Sequence, residues 1–109
     1  VNVSLCSTYY NKSDGIRVYN NCFVHDNLSI RNGYNGNGAG IRVRSIDNRI
    51  EGNNLIDNDW GVYVEDPGNL IIKNSASNNT TNYDIVAGND VGPIGSAASS
   101  TSSWANISF

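Results

Sequence analysis

Residues 40–64 read Gly-Ile-Arg-Val-Arg-Ser-Ile-Asp-Asn-Arg-Ile-Glu-Gly-Asn-Asn-Leu-Ile-Asp-Asn-Asp-Trp-Gly-Val-Tyr-Val. The run opens and closes on one pattern: glycine, a β-branched residue, a variable residue, valine. Gly40-Ile41-Arg42-Val43 and Gly61-Val62-Tyr63-Val64 stand 21 residues apart. Gly15-Ile16-Arg17-Val18 precedes them by 25 residues, and a weaker copy, Asn82-Tyr83-Asp84-Ile85, follows by 21. The longer interval holds the Gly-rich stretch from Asn32 to Ala39, which reads as a looped insertion.

Between the copies, asparagine punctuates a second set of short strands: Asn21-Cys22-Phe23, Asn48-Arg49-Ile50, Asn69-Leu70-Ile71 and Asn89-Asp90-Val91. A further Asn-rich corner follows at Asp26-Asn27-Leu28, Asn53-Asn54-Leu55 and Asn74-Ser75-Ala76. Each repeat therefore reads as strand, corner, strand, corner, short strand, return. Val3 to Asp14 reads as the end of an earlier copy, with Leu5 in the role of Ile50 and Tyr10 in that of Leu55.

Alternation supplies the physical reason for a fold. Ile16/Val18, Ile41/Val43, Val62/Val64 and Tyr83/Ile85 point inward, while Arg17, Arg42, Tyr63 and Asp84 point out. A single such coil cannot bury its apolar face. Coils stacked about 4.8 Å apart share one aliphatic core and pair each backbone with the coils above and below. Equivalent corner asparagines then bond up the stack as a ladder, in backbone conformations that other residues resist. The expected fold is all-β: a parallel β-solenoid of about four coils over residues 1–94, followed by an irregular tail, 95–109.

Composition agrees. The chain has 109 residues, nineteen of them Asn and eleven Gly, and punctuation at that density excludes sustained helices. A net charge of −3 argues against a nucleic-acid partner. No apolar run approaches the ~20 residues of a membrane-spanning helix. One His and two Cys, Cys6 and Cys22, make no zinc motif. Flanking Leu5 and Phe23 on consecutive coils, the cysteines either form one disulfide or stay free. Asn-X-Ser/Thr matches at Asn2, Asn11, Asn27, Asn78, Asn79 and Asn106 read as products of composition.

The pattern Gly-Ile-x-Val, then Asn-x-Ile, then Asn-Asn-Leu resembles the right-handed parallel β-helix repeat of the pectate-lyase-like superfamily, over residues 1 to about 92. The resemblance implies right-handed coiling, an extracellular or cell-surface setting and a relation to proteins that act on polysaccharides. Lyases of that kind use acidic residues to hold calcium and an Arg or Lys as base; hydrolases use several close Asp residues. Neither set assembles here, and the Gly-His-Gly of the hydrolases is replaced by Val24-His25-Asp26.

Stacking equivalent positions gives an outward column of Arg17, Arg42, Tyr63 and Asp84 beside one of Tyr19, Arg44, Glu65 and Val86. Arg17 over Arg42 places like charges near ~5 Å and invites an anion, while Tyr19 and Tyr63 offer faces for sugar rings. Arg17, Arg42, Tyr63, Tyr19 and Arg44 are thus the glycan-binding candidates. The plainer alternative pairs Arg44 with Glu65 and leaves the other arginines in solvent. Asp57 and Asp59 are weak candidates for a calcium ion, the one cofactor worth testing, and lack a full ligand set. Trp60 serves either as a sugar platform or as a shield for the return corner.

The tail from Gly95 to Ser103 is low in complexity and expected to be flexible or extended. Trp104, Ile107 and Phe109 follow it and are expected to dock, with Trp104 and Phe109 as anchors. An uncapped first rung is a pairing template, so a homo-oligomer is expected. The function expected is a non-catalytic module that binds glycan or serves in assembly. The alternatives are a lyase or hydrolase of acidic polysaccharide and a structural fragment of a tailspike or adhesin.

Overall fold

The computed structural model describes all 109 residues as fifteen short β-strands, with no helix. The first coil comprises β1 (Asn2–Ser4), β2 (Ser7–Tyr9) and β3 (Ile16–Val18). The second comprises β4 (Phe23–His25), β5 (Leu28–Ile30) and β6 (Ala39–Val43). The third is β7 (Arg49–Glu51), β8 (Asn54–Ile56) and β9 (Trp60–Val64), and the fourth β10 (Leu70–Ile72), β11 (Ser75–Ser77) and β12 (Thr81–Ile85). A partial fifth adds β13 (Asp90–Val91), β14 (Ile94–Gly95) and β15 (Asn106–Ser108).

Strands stack in three parallel walls. The first wall runs β1-β4-β7-β10-β13, the second β2-β5-β8-β11-β15-β14 and the third β3-β6-β9-β12. The protein is a parallel β-solenoid of about four coils. In the third wall the register places Ile16, Ile41, Val62 and Tyr83 in one column, and Val18, Val43, Val64 and Ile85 in the next. Ile41, Val43 and Val62 are fully buried, and with Val24, Ile50, Ile71 and Leu55 they form one aliphatic core.

Apart from the last rungs, Asn82 and Asn106, the corners follow one rule. A residue in the left-handed backbone region is followed by the ladder residue. Leu5, Tyr10, Asn21, Asp26, Arg31, Asp47, Asp57, Lys73 and Asn78 occupy that region with φ between 54° and 60°, and Gly52, Gly68 and Gly88 take it before Asn53, Asn69 and Asn89. The expectation that ladder asparagines themselves adopt the strained conformation is corrected: the strain sits one residue earlier, on side chains as large as Tyr10 and Arg31. Each such residue costs about 1–2 kcal/mol, offset by the amide that follows.

That amide is satisfied on all sides. Asn53 Nδ2 donates to the Val24 carbonyl at 2.9 Å and to Asn74 Oδ1 at 3.0 Å. Its own Oδ1 accepts from the backbone N–H and Nδ2 of Asn27. Asn27, Asn53, Asn74 and Asn106 form one ladder, and Asn48, Asn69 and Asn89 a second. A third, not read from the sequence as a ladder, runs Asn11, Asn32, Asn58, Asn79 and Asn82. Twelve of the nineteen asparagines are consumed this way, which accounts for the composition. Four Asn-X-Ser/Thr matches, at Asn11, Asn27, Asn79 and Asn106, fall on ladder residues whose amides are already engaged.

In the first two coils the register differs from the sequence expectation. Val3, not Leu5, aligns with Val24 and hence with Ile50, and Thr8, not Tyr10, aligns through Ser29 with Leu55. Leu5 and Tyr10 are exposed corner residues. Val24 and Ser29 point inward, while Phe23 and Leu28 face out. The cause is corner length: Cys22 follows Val18 by four positions, whereas Asn48 and Asn69 follow Val43 and Val64 by five. The ladder position there is a cysteine, so aligning on Asn21 slips the strand by one residue and reverses its faces.

Cys6 and Cys22 stand at two different corners, each in a position that asparagine holds in later coils, and both are free thiols. Each sulfur lies within hydrogen-bonding distance of the carbonyl two residues back, Ser4 and Asn20, imitating half of what an asparagine does.

The tail re-enters the fold. β15 inserts between β11 and β14, so the last strand of the chain pairs with wall strands on both sides. Asn106 is fully buried as the last member of its ladder, while Trp104 and Phe109 remain 53% and 72% exposed. The Tyr83 hydroxyl spans the end of the core to the carbonyls of Asn74 and Ile107, at 3.0 and 2.9 Å.

Candidate functional site

The outer face of the third wall carries the chemistry. β3, β6 and β9 place Arg17, Arg42 and Tyr63 in register, one per coil, because the residue between two inward positions must face out. Asp14 was not anticipated as part of this group. It precedes Gly15 as Ala39 precedes Gly40 and Trp60 precedes Gly61, so the residue column flanking the arginines could have indicated it. Its Oδ1 accepts the Ala39 N–H at 2.8 Å, which turns Oδ2 toward the arginines. Arg17 Nε donates to Oδ2 at 2.7 Å, and Arg42 Nη1 lies 3.6 Å from the same oxygen. The Asp14 side chain is only 3% exposed. Its hydrogen bond and charge push the Arg17 guanidinium pKa above its ordinary value.

The stacked arginines therefore carry their own counter-ion. The repulsion that would have drawn in an external anion is relieved by Asp14, and Arg17 is fixed rather than fanned into solvent. Arg42 is held tightest, with a side chain 12% exposed. Its guanidinium carbon lies 4.8 Å from the centroid of Tyr63 and 5.9 Å from that of Trp60. The Trp60 and Tyr63 rings stack 5.0 Å apart at 15°. Arg42 Nε is buried without a hydrogen-bond partner; Glu65 Oε1, 3.8 Å away, is beyond hydrogen-bond reach. Glu65 Oε2 instead forms an ion pair with Arg44 Nε at 2.8 Å. The Arg44–Glu65 pair is the one read from the sequence.

The structure thus brings together Arg17, Arg42, Tyr63 and Arg44 with Asp14, Trp60 and Glu65. Tyr19 stands next in the chain to Val18 at the open first coil and is half exposed. The assembly offers two aromatic rings, three cations and two carboxylates, each cation facing a carboxylate within 4 Å.

Asp57 and Asp59 lie elsewhere, at the corner leading into β9, and are engaged separately. Asp57 faces Arg31 at 3.6 Å, while Asp59 Oδ2 accepts the Gly38 N–H at 2.9 Å. No group of three or more His, Cys, Asp or Glu side chains converges as a metal site. His25 is stacked on Phe23, with Nδ1 2.8 Å from Asp26 and Nε2 2.9 Å from Asn2. On the outer face of the first wall, Leu70, Ile72, Val91, Pro93 and Trp104 line a shallow apolar hollow of 390 Å³, edged by Arg49 and Asp90. Lys73 lies 4.8 Å over the Trp104 ring beside it.

No protein-family model matches the chain, and neither a curated protein nor a solved structure matches it.

Proposed function

We propose that the chain is a right-handed β-helix of the pectate-lyase-like kind acting as a non-catalytic module, with glycan binding on its third wall. One observation carries this reading: the stacked Trp60 and Tyr63 rings, buttressed by Arg42, whose Nε–H lacks a partner. Sugar rings present C–H faces to aromatic platforms and hydroxyls to guanidinium donors. Arg42 Nε is itself buried, so ligand hydroxyls would meet the more exposed guanidiniums of Arg17 and Arg44 beside the rings. Asp14 is buried and committed to the Ala39 N–H, Arg17 and Arg42, which favours a positioning role over proton transfer.

The test is retention on immobilised acidic and neutral polysaccharides, with and without calcium, scored together with new chain ends. The expected result is retention without cleavage, lost in Tyr63→Ala and weakened in Arg17→Ala and Arg42→Ala. New chain ends would overturn the non-catalytic reading in favour of a lyase or hydrolase.

A second reading, assembly, is favoured by a separate observation. Within these 109 residues β1, β2 and β3 each pair on one side only, which leaves one row of their backbone groups available. Such an edge pairs with another chain unless something covers it. A closed dimer joined through first rungs would cover it, while an obligate trimer would point to a tailspike or adhesin. Sedimentation velocity separates these, and a monomer at all concentrations would remove the assembly reading.

A further inference from the structure

The insertion in the second coil is the one large break in the 21-residue repeat within the four full coils, and it builds a groove away from the third-wall strip. The chain leaves the corner at Asn32, turns through Gly33 and Gly36 in the left-handed region, and returns at Gly38. It is pinned at both feet: the Gly33 N–H donates to the Asn11 carbonyl at 2.9 Å, and the Gly38 N–H donates to Asp59. The loop thereby ties the first coil to the third. Gly33 has no room for a side chain, since a Cβ there would stand 2.6 Å from Gly38 N.

So pinned, the loop holds Tyr34 against Tyr10, ring centroids 5.0 Å apart at 23°. Tyr34 is 48% exposed. Between this stack and the corners below lies an open groove of 410 Å³, whose polar side chains include Arg31, Asp57, Asn78 and Thr80. The two tyrosines are its only apolar side chains. Arg31 is one of its walls, 3.4 Å from the Tyr9 hydroxyl and 3.6 Å from Asp57.

We propose that this groove is a second, independent ligand site, for a neutral hydroxyl-rich ligand: a sugar residue of an uncharged glycan. Volume and openness suit one or two sugar rings rather than a buried cofactor. The aromatic face of Tyr34 takes a ring face, while Arg31 donates and Asp57 accepts, the pairing that vicinal hydroxyls require. Charge selects against other ligands. Asp57 and Asp59 outnumber Arg31, so a uronate is repelled. A cation meets Arg31 beside Asp57 and finds Asp59 already bonded to Gly38. The groove thus differs in ligand class from the arginine-rich third wall and does not depend on that strip binding anything.

The experiment is titration of 15N-labelled protein with neutral hexasaccharides (glucan, mannan and xylan in separate runs) and with an acidic oligogalacturonate. The expected result is that at least one neutral hexamer, at millimolar concentration, shifts the amides of Tyr34, Gly36, Asp57 and Thr80. Tyr34→Ala, on an exposed loop where folding is not at stake, weakens that binding by about tenfold or more, equivalent to ~1.4 kcal/mol. Arg31→Ala weakens it as well, and Tyr63→Ala leaves it unchanged. The proposal is overturned if no neutral hexamer moves these amides, or if Tyr34→Ala binds as the parent does. Loss in Tyr63→Ala with retention in Tyr34→Ala would assign neutral-sugar binding to the third wall alone.

Discussion

At the C-terminal end of the solenoid all three ladders finish on asparagines that use up their last donors, whereas at the N-terminal end two of the three begin on residues that cannot ladder and one begins on Asn11. Asn82 stands where earlier coils have Gly15, Gly40 and Gly61, and its Oδ1 accepts both the N–H and Nδ2 of Asn79. Asn106 arrives from the tail to accept from Asn74, and Tyr83 caps the core with its hydroxyl. At the other end, Cys6 opens one ladder and Val1 and Cys22 precede Asn48 in another. The inward positions of the second wall there are Thr8 and Ser29, bonded to each other at 2.8 Å, where later coils carry Leu55 and Ala76. Backbone edges exist at both ends, since β12, β13 and β14 also pair on one side only; the difference is that the side-chain ladders are terminated at one end and polar, unladdered positions mark the other.

The difference predicts unequal sensitivity. The largest effect belongs to Asn74→Ala near the closed end, which orphans partners in the coils on either side. We expect a loss of about 3–5 kcal/mol in urea unfolding, several hydrogen bonds together with the cost of unsatisfied buried groups. The matching change at the open end, Cys6→Ala, should cost less than about 0.5 kcal/mol, the usual range for an exposed site. Equal losses would break the comparison.

Gly61→Ala comes next. A Cβ there runs into the Asn82 carbonyl oxygen and meets Asn79 Nδ2 at 3.0 Å, pressing on the very residues that terminate the third ladder. A cost of about 1–3 kcal/mol is expected from overpacking against backbone. The three atoms nearest a Cβ at Gly15 belong to the side chains of Ser29, Thr8 and Asn32, not to backbone, although they are hydrogen-bonded to one another. Gly15→Ala should therefore be milder in the same assay.

Tyr83→Phe should cost about 1–2 kcal/mol, since the Ile107 carbonyl loses the hydroxyl while that of Asn74 keeps only the Ile107 N–H. The pH dependence has a definite sign. Burial raises the Tyr83 phenol pKa above its ordinary value, so the folded state favours the neutral form. Its contribution is complete below the unfolded pKa of about 10 and is lost as pH rises above it. Thermal melts of the parent should fall in this alkaline window, and Tyr83→Phe should flatten that part of the slope.

The middle coils were legible because Gly40 to Val64 repeats strand, corner and spacing without a missing residue. The ends were not, for physical reasons. Cys22 stands in an asparagine's place beside a corner one residue shorter, so Asn21 misleads and Phe23 is read facing the wrong way. Asn106 follows Asn74 by 32 residues, across a Ser-rich stretch, so its membership in the ladder has no periodic signature. On the third wall the Arg17/Arg42/Tyr63 column was plain from spacing, but Asp14 was not, because its role depends on which way Oδ2 turns. The groove was half visible: the insertion was read, while the Tyr10 face it closes over was assigned to the core.

Hydrogen exchange followed across a concentration series tests the inequality of the two ends most directly. Amides of β8, β11 and β15 should be protected at every concentration. Those of β1, β2 and β3 should exchange early when dilute and gain protection as the open rung finds a second copy. Protection of β1–β3 that equals the closed end and does not change with concentration would contradict it.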